Sequence, residues 1–558
     1  MQVKPSVTTT ILWVGLLLPS QGWAQASQAV SQGDLVIPES YLTRMRQEGP
    51  VLEVTLKEAI RLALVNNLEI AIENYNEDLN REQIIKTRGF YDPTYSFSVG
   101  WSSSESPTTS ILQAGGAITV NTVDRFSFDH QLLQNVAGGG ILNITFTNSR
   151  NDTNSRFSSL NPRFNSTFNI AFTQPLWRGF KKTNTERQIE LFNLNSDINE
   201  RQFEQRVSEI VQQVQNQYWE LVYAVEANET QRQSVELAAI QYSNNRKRVE
   251  IGVMAPIEIT ASQAEIARRE QEMIQSEVQI INAQNALKRL LASDPGASIW
   301  NVVLIPTDAP QIEDVQISLE ESIRTALEKR PELDQIQLQM EQNEVDRSYY
   351  KKDGKPSLNL RGNFGSNSAT GQVFGTVLID TDGDGIPDSS GGRVPVPDDP
   401  RFGNFTKAWQ QVFGFDFRAW GVFLDVQIPL RNRSNEADLA TVLIRERQLL
   451  STLKNQEQMI IVEVRNAYES IATRKKSLEA ARVASRLSRE QMEGETKRFE
   501  AGLSTNFEVL RFQRDLAQSQ VSELRALVDY QLAVTALQRA LFTIVEKSDI
   551  VLAKGSEN

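Results

Sequence analysis

"RVEIGVMAPIEI", residues 248–259, interrupts a long run of helix-forming sequence, and 250 positions later the chain reads "RFEAGLSTNFEV", residues 498–509. Arg248 and Arg498, Glu250 and Glu500, Gly252 and Gly502, and Glu258 and Glu508 occupy matching positions. A glycine after a helical run supplies the left-handed backbone with which helices commonly end, and a second helical run follows each time. The chain therefore reverses twice, at equivalent places, and must be built from a repeated unit.

The repeat extends outward from these breaks. "VTLKEAIRLALVNNLEI" (54–70) aligns with "ISLEESIRTALEKRPEL" (317–333) at an offset of 263, with seven of seventeen positions identical. The same offset pairs Pro93 with Pro356, becomes 254 at "QPL" (174–176) and "IPL" (428–430), and is 250 from Val214/Val464 through Leu291/Leu541. Each copy reads helix, strands, long helix, break, helix. Residues 181–250 contain no Gly or Pro, and Val207, Val211, Val214, Tyr218, Leu221 and Val225 recur at spacings of four and three. Val464, Ile471, Leu478, Met492 and Phe499 repeat that frame, which is coiled-coil packing. A helix of about 70 residues would be ~105 Å long. The shorter runs 253–291 and 318–350, at ~58 and ~50 Å, match one such helix when laid end to end, as do 503–541 and 54–88.

The strand regions carry a different period. "TYSFSVGWS" puts Tyr95, Phe97, Val99 and Trp101 on one face, "STFNIAFTQPLW" does so with Phe168, Ile170 and Phe172, and "AWGVFLDVQIPL" with Trp420, Val422, Leu424, Val426 and Ile428. Alternation over about nine to eleven residues suits a transmembrane β-strand. A sheet with open edges is not tolerated in lipid, so the predicted sheet must close with copies of itself.

Composition narrows the chemistry. Among 558 residues there is no cysteine, which excludes disulfides, thiolate metal sites, thiol catalysis and a lipid on an N-terminal cysteine. The single histidine, His130, leaves little room for histidine chemistry, and a net charge of −12 argues against nucleic acid as a partner. No apolar run is long enough to span a bilayer as a helix. Lys4, the apolar "ILWVGLLLP" and the small-x-small Ala24-Gln25-Ala26 read as a secretory signal peptide cleaved near Ala26.

Taken in order, "VTLKEAIRLAL" and "ISLEESIRTAL", "FYDPTYSFSVG", "TQPLWRGF" and "VQIPLRNR", and the paired "IGVMAP" and "AGLSTN" breaks resemble the outer membrane efflux protein family, the TolC-like channels of Gram-negative bacteria, over residues 50–545. The resemblance implies an α+β membrane protein with a two-fold internal repeat. Long coiled-coil helices would form a periplasmic α-barrel, and four strands per chain a β-barrel completed by trimerisation. It also implies outer membrane lipid around the barrel, a periplasmic adaptor (membrane fusion) protein, and an inner-membrane efflux pump or ABC transporter. Such a homotrimer serves efflux or type I secretion. By the same resemblance the adaptor meets the helix reversals at Gly252, Val253 and Met254 and at Gly502, Leu503 and Ser504. Glu258 and Glu508 stand where the family places lumen-facing aspartates at the narrowest point, and Arg511 stands where a further aspartate is frequent. The implied divisions are a signal peptide (1–26), an N-terminal periplasmic segment (27–53), a first repeat (54–291), an equatorial linker (292–316), a second repeat (317–541) with an Asp-rich insertion (366–411), and a tail (542–558).

Two features stand outside that pattern. In "DTDGDGIPD", Asp380, Asp382, Asp384 and Asp388 with Gly385 provide oxygen ligands at calcium-loop spacing, although position twelve is Gly391 and not the glutamate of an EF-hand. The reading requires no cofactor but expects Ca²⁺ in this loop. Residues 104–165 contain another alternating pair around "RFSFDHQLL" and "GILNITFTN", open between an extracellular hairpin and additional barrel strands. An enzyme is not expected, since no nucleophile, base and orienting group come together. A coiled-coil envelope structural protein or adhesin is the alternative, and it leaves the matched strand insertions unexplained.

Overall fold

The computed structural model describes residues 50–108, 120–155, 158–310, 312, 318–379 and 389–548. In chain order the elements are β1 (Val51–Val54), α1 (Leu56–Asn66), α2 (Leu68–Arg88), β2 (Thr94–Pro107), β3 (Val120–Val136), β4 (Gly140–Thr153), β5 (Leu160–Pro175), α3 (Asn184–Glu250) and α4 (Ile257–Leu291). They continue with β6 (Val303–Pro306), α5 (Leu319–Lys329), α6 (Pro331–Asp353), β7 (Ser357–Ile379), β8 (Ser389–Pro395), α7 (Phe405–Phe413), β9 (Arg418–Gln427), α8 (Arg433–Glu500), α9 (Asn506–Ala540) and α10 (Ile544–Lys547). The chain forms two compact units, one from residues up to 70, 207–329 and 460 onward, the other from 71–206 and 330–459. Among the described residues no helix is long and apolar enough to cross a membrane.

The first unit is helical, with β1 and β6 paired in parallel. Thr55 starts α1 with a capping box: its hydroxyl accepts from the Glu58 amide at 3.2 Å, and the Glu58 carboxylate accepts from the Thr55 amide at 3.0 Å. Ser318 accepts from the Glu321 amide at 3.2 Å in the corresponding place before α5. The heptad positions Val207, Val211, Val214, Tyr218, Leu221 and Val225 of α3 are buried, as are Val464, Ile471, Leu478 and Phe499 of α8, while Met492 is half-buried. Burying each such side chain contributes about 1.5–3 kcal/mol. Tyr218 ties this core to the small sheet: its hydroxyl donates to the Val54 carbonyl at 3.1 Å and accepts from the Thr307 and Asp308 amides at 3.1 and 3.0 Å. Burial pushes the phenol pKa up.

Two predicted helices are broken. The run 54–88 stops at Asn67, whose backbone is extended (ψ 125°) and whose side-chain oxygen accepts from the amides of Glu69 and Ile70 at 2.9 and 3.3 Å. Asn67 thus ends one helix and caps the next. The run 318–350 breaks at Arg330 (ψ 117°), because Pro331 disfavours helical backbone in the residue before it.

The second unit is a seven-stranded sheet in the order β2-β3-β4-β5-β7-β8, with β9 also paired to β7. Residues 104–165 therefore supply two full antiparallel strands, β3 and β4, inserted between β2 and β5. Setting aside the short β8, the sheet has six strands, two more than the four that the resemblance implies. Within 366–411, β7 continues to Ile379 and α7 begins at Phe405. Register assigns the faces. Tyr95, Leu132, Ile144, Ile170, Phe364 and Trp420 form one apolar row across six strands; the neighbouring row on the opposite face is Ser96, Gln131, Thr145, Asn169, Gly365 and Ala419.

The apolar face holds one polar island of Asn148, Ser166, Ser368 and Thr370, all buried, and α7 lies over it. The Trp409 indole N–H donates to Asn148 Oδ1 at 2.8 Å, Ser166 Oγ donates to the same oxygen at 2.7 Å, and Thr370 Oγ1 donates to the Asn404 carbonyl at 3.0 Å. Around it Phe405 meets Phe128 and Phe164, with ring centroids 5.2 and 4.8 Å apart, and Phe413 meets Phe146 at 5.5 Å. His130 is a strand residue of the apolar face, its Nδ1 2.7 Å from the Tyr95 hydroxyl. Asp380, Asp382, Asp384 and Asp388 lie outside the described residues, as does the signal peptide 1–26.

Candidate functional site

The two helix reversals share one backbone geometry. Gly252 has φ +77° and Gly502 φ +75°. At the first, the Gly252 amide donates to the Val249 carbonyl at 2.9 Å and the Val253 amide to Arg248 at 3.0 Å. At the second, Gly502 donates to Phe499 at 3.0 Å and Leu503 to Arg498 at 2.9 Å. This is the Schellman pairing, and it requires a left-handed residue at the glycine position. A Cβ added at either glycine would touch nothing within 4 Å, so backbone strain alone selects glycine there.

The reversals present apolar side chains to solvent. Val253 and Leu503 are 70% and 71% exposed, Met254 and Ser504 are half-buried, and Ile251 is exposed as well. Ile257 and Phe507, both 68% exposed, belong to the same surface and escaped sequence reading. The signal was present, since each stands five residues after its glycine. The two tips differ in how the outgoing helix starts. Thr505 accepts from the Glu508 amide at 3.3 Å, whereas Pro256 before α4 makes no side-chain cap.

Behind the tips, polar side chains from three helices converge. Asn506 Oδ1 accepts from Asn245 at 2.7 Å and from Gln241 at 3.1 Å, and Asn245 also donates to Ser262 Oγ at 2.9 Å. Gln241, Asn245, Ser262 and Asn506 are buried. Asn506 Nδ2 donates to Glu258 Oε2 at 2.9 Å, so Glu258 is held by the opposite tip. Glu508 is held within its own helix, Oε2 lying 2.8 Å from Arg511 Nη2. The structure thus pairs Arg511 with Glu508 and brings Asn506 to Glu258.

Farther along, Arg269 is 1% exposed and joins three helices. It donates to Glu265 at 2.9 Å, to the Ser234 carbonyl at 2.8 Å and to the Leu510 carbonyl at 3.3 Å. Burial lowers its pKa, opposed by Glu265. On α3, Glu226 has a buried oxygen with no partner among the described residues. Burial first, and then the charge of Glu229, push its pKa up to about 8. Among the described residues no group of three acidic or histidine side chains is placed to hold a metal ion.

A sheet with one apolar and one polar face leads in sequence into helices of 67 and 68 residues that reverse at glycine caps, an architecture of two-faced sheet and long helical hairpins. The chain belongs to the outer membrane efflux protein family, whose profile matches residues 141–293 and 322–541. Among solved structures, the Campylobacter jejuni CmeC outer membrane channel is similar at a TM-score of 0.59 and 14% identity, over 88% of this chain and 85% of that one. The Vibrio cholerae outer membrane protein VceC gives 0.57 and 13%, covering 90% and 98%. The open state of the Neisseria gonorrhoeae MtrE outer membrane channel gives 0.53 and 16%, covering 87% and 88%. At these identities the likeness is one of fold. Comparison with curated proteins finds no match.

Proposed function

We propose that three copies of this chain form an outer membrane channel that carries solutes from an inner-membrane efflux pump or ABC transporter through a periplasmic tunnel to the exterior. The observation that carries the reading is the sheet. Its apolar face suits lipid, its polar face suits a water-filled lumen, and its edges, β2 on one side and β8 and β9 on the other, must be paired wherever they enter a bilayer. Family membership and the fold of CmeC, VceC and MtrE support it. In this reading the two halves of the chain are repeats of one unit, the exposed apolar tips at Gly252–Met254 and Gly502–Ser504 receive a periplasmic adaptor, and Glu258, Glu508 and Arg511 surround the periplasmic gate. The chemistry is passage, with no catalytic step and no nucleic acid.

The test is reconstitution of the detergent-extracted protein in planar bilayers. A channel gives discrete ion-conducting steps from a trimeric species. A trimer or monomer without conductance leaves the coiled-coil envelope protein or adhesin as the better reading.

A further inference from the structure

We infer that the hairpin β3–β4 is pore wall, so that each chain contributes six strands to the barrel and three chains eighteen. This rests on the channel reading above and concerns residues to which that reading assigns nothing.

Three observations carry it. First, the hairpin is fully integrated. It pairs with β2 from Thr94–Leu133 to Pro107–Val120 and with β5 from Ile141–Thr173 to Asn151–Arg163, so it occupies the sheet and does not stand off its rim. Second, its alternation is in phase with its neighbours. Leu132, Ile144 and Phe146 fall on the face of Tyr95, Phe97 and Ile170, while Ser127, Asp129, Thr145 and Thr147 fall on the face of Ser98 and Thr167. A loop hairpin standing in water has no reason to keep an apolar face in register with a membrane strand, because a one-residue slip would invert it. Third, the apolar run of β3 ends level with that of β2. On the same face β2 turns polar at Ser103 and β3 at Asp124, and these two are register partners. β4 turns polar earlier, at Asn148 beneath α7 and then at Arg150. The first strand of the hairpin therefore shares the boundary of the apolar zone with β2.

The consequence is a wider outer pore. Barrel diameter grows roughly linearly with strand number, and 16–18 strands leave an aqueous channel without a plug. With six strands per chain in place of four, the barrel end is half again as wide as the four-strand pattern gives, with Ser127, Asp129, Thr145 and Thr147 on its lining.

Because the chain has no cysteine, each engineered thiol is unique. Ser127→Cys, Thr145→Cys and Thr147→Cys are compared with Leu132→Cys, Leu142→Cys and Ile144→Cys in proteoliposomes and in planar bilayers. The expected result is alternation. The first three react with a charged, membrane-impermeant methanethiosulfonate, and conductance falls in up to three discrete steps. The second three react only with a lipid-soluble maleimide, leaving conductance unchanged. Equal labelling of both sets by the charged reagent, or labelling of neither, overturns the inference. Labelling is scored by mass and does not require conduction, so a protein that labels in alternation but conducts nothing would count against the channel reading alone. Conduction by the unmodified protein without alternation would count against the hairpin alone.

Discussion

The guanidinium of Arg248 lies 4.5 Å from the centroid of the Phe499 ring, joining the last turn of α3 to the last turn of α8. Phe499 is 7% exposed, so the contact is partly shielded from water, where such pairs are worth about 0.5–2 kcal/mol. Arg248 also supplies the carbonyl that accepts from Val253, so the same residue closes one reversal and grips the other. We expect Arg248→Gln and Phe499→Leu each to raise amide hydrogen exchange at residues 245–262, and the double variant to do little more than either alone. Additive effects would mean that the two residues act separately.

At the tips, Gly252→Asp and Gly502→Asp each place a side chain in open space on a backbone that resists it, a strain of about 1–2 kcal/mol for one residue. That is small beside the burial along α3 and α8, so the chain should still fold and the proposed trimer assemble. Adaptor capture should fall, because a charge is set among Ile251, Val253, Leu503 and Phe507. Pull-down of the adaptor at unaltered levels by both variants would sink the docking role.

The residues proposed for the gate make a prediction with two signs. Glu258→Gln combined with Glu508→Gln should lower cation selectivity, since carboxylate rings in a confined passage favour cations. Arg511→Gln should do the opposite, because it releases Glu508 from a partner 2.8 Å away. Reversal potentials across a salt gradient read both. Identical values for the double variant, Arg511→Gln and the original protein would remove all three residues from the passage.

Glu226 predicts a pH dependence. Its pKa rises from 4.5 to about 8 on folding, through burial and then the charge of Glu229. The folded chain keeps a proton that the unfolded chain releases, so stability falls as pH rises through that interval. Below about 4.5 both states are protonated and the penalty is absent. Glu226→Gln should therefore stabilise the protein above about pH 8 and leave it unchanged near pH 4.5. With each unit worth about 1.4 kcal/mol, the gain is up to a few kcal/mol. Thermal unfolding at both pH values checks this, and an equal gain at both would refute it.

For the Asp-rich segment we propose one bound Ca²⁺ held by Asp380, Asp382, Asp384 and Asp388. Titration calorimetry on the trimer should show a binding event that disappears when all four become alanine. Identical titrations of the two proteins would leave only an acidic loop.

The glycine reversals and the apolar strand face were legible because each rests on a short-range rule: a left-handed cap at Gly252 and Gly502, and a period of two from Tyr95 to Trp101. The heptads were legible for the same reason. The break at Asn67 was not, because the apolar pattern of residues 54–88 continues through it and only the side-chain cap on Glu69 and Ile70 marks it. Pro331 was a visible signal whose effect on Arg330 outweighed helical periodicity. The amide cluster at Asn506 was out of reach, since Gln241, Asn245 and Asn506 come from helices distant in sequence and polar residues are unremarkable on any one of them. The hairpin β3–β4 had its alternation in plain view, but its place between β2 and β5 depends on pairing that no single strand encodes.

The side chains beneath α7 belong to β4, β5 and β7, while their cover, residues 404–413, follows all three in the chain. Hydrocarbon offers neither donors nor acceptors, so an uncovered Asn148 or Thr370 would forbid that face to lipid. On the channel reading proposed above, entry into the bilayer would then wait for a segment synthesised later to fold back. Four small side chains would set an order of events in which the sheet meets the membrane already roofed by its helix, not strand by strand.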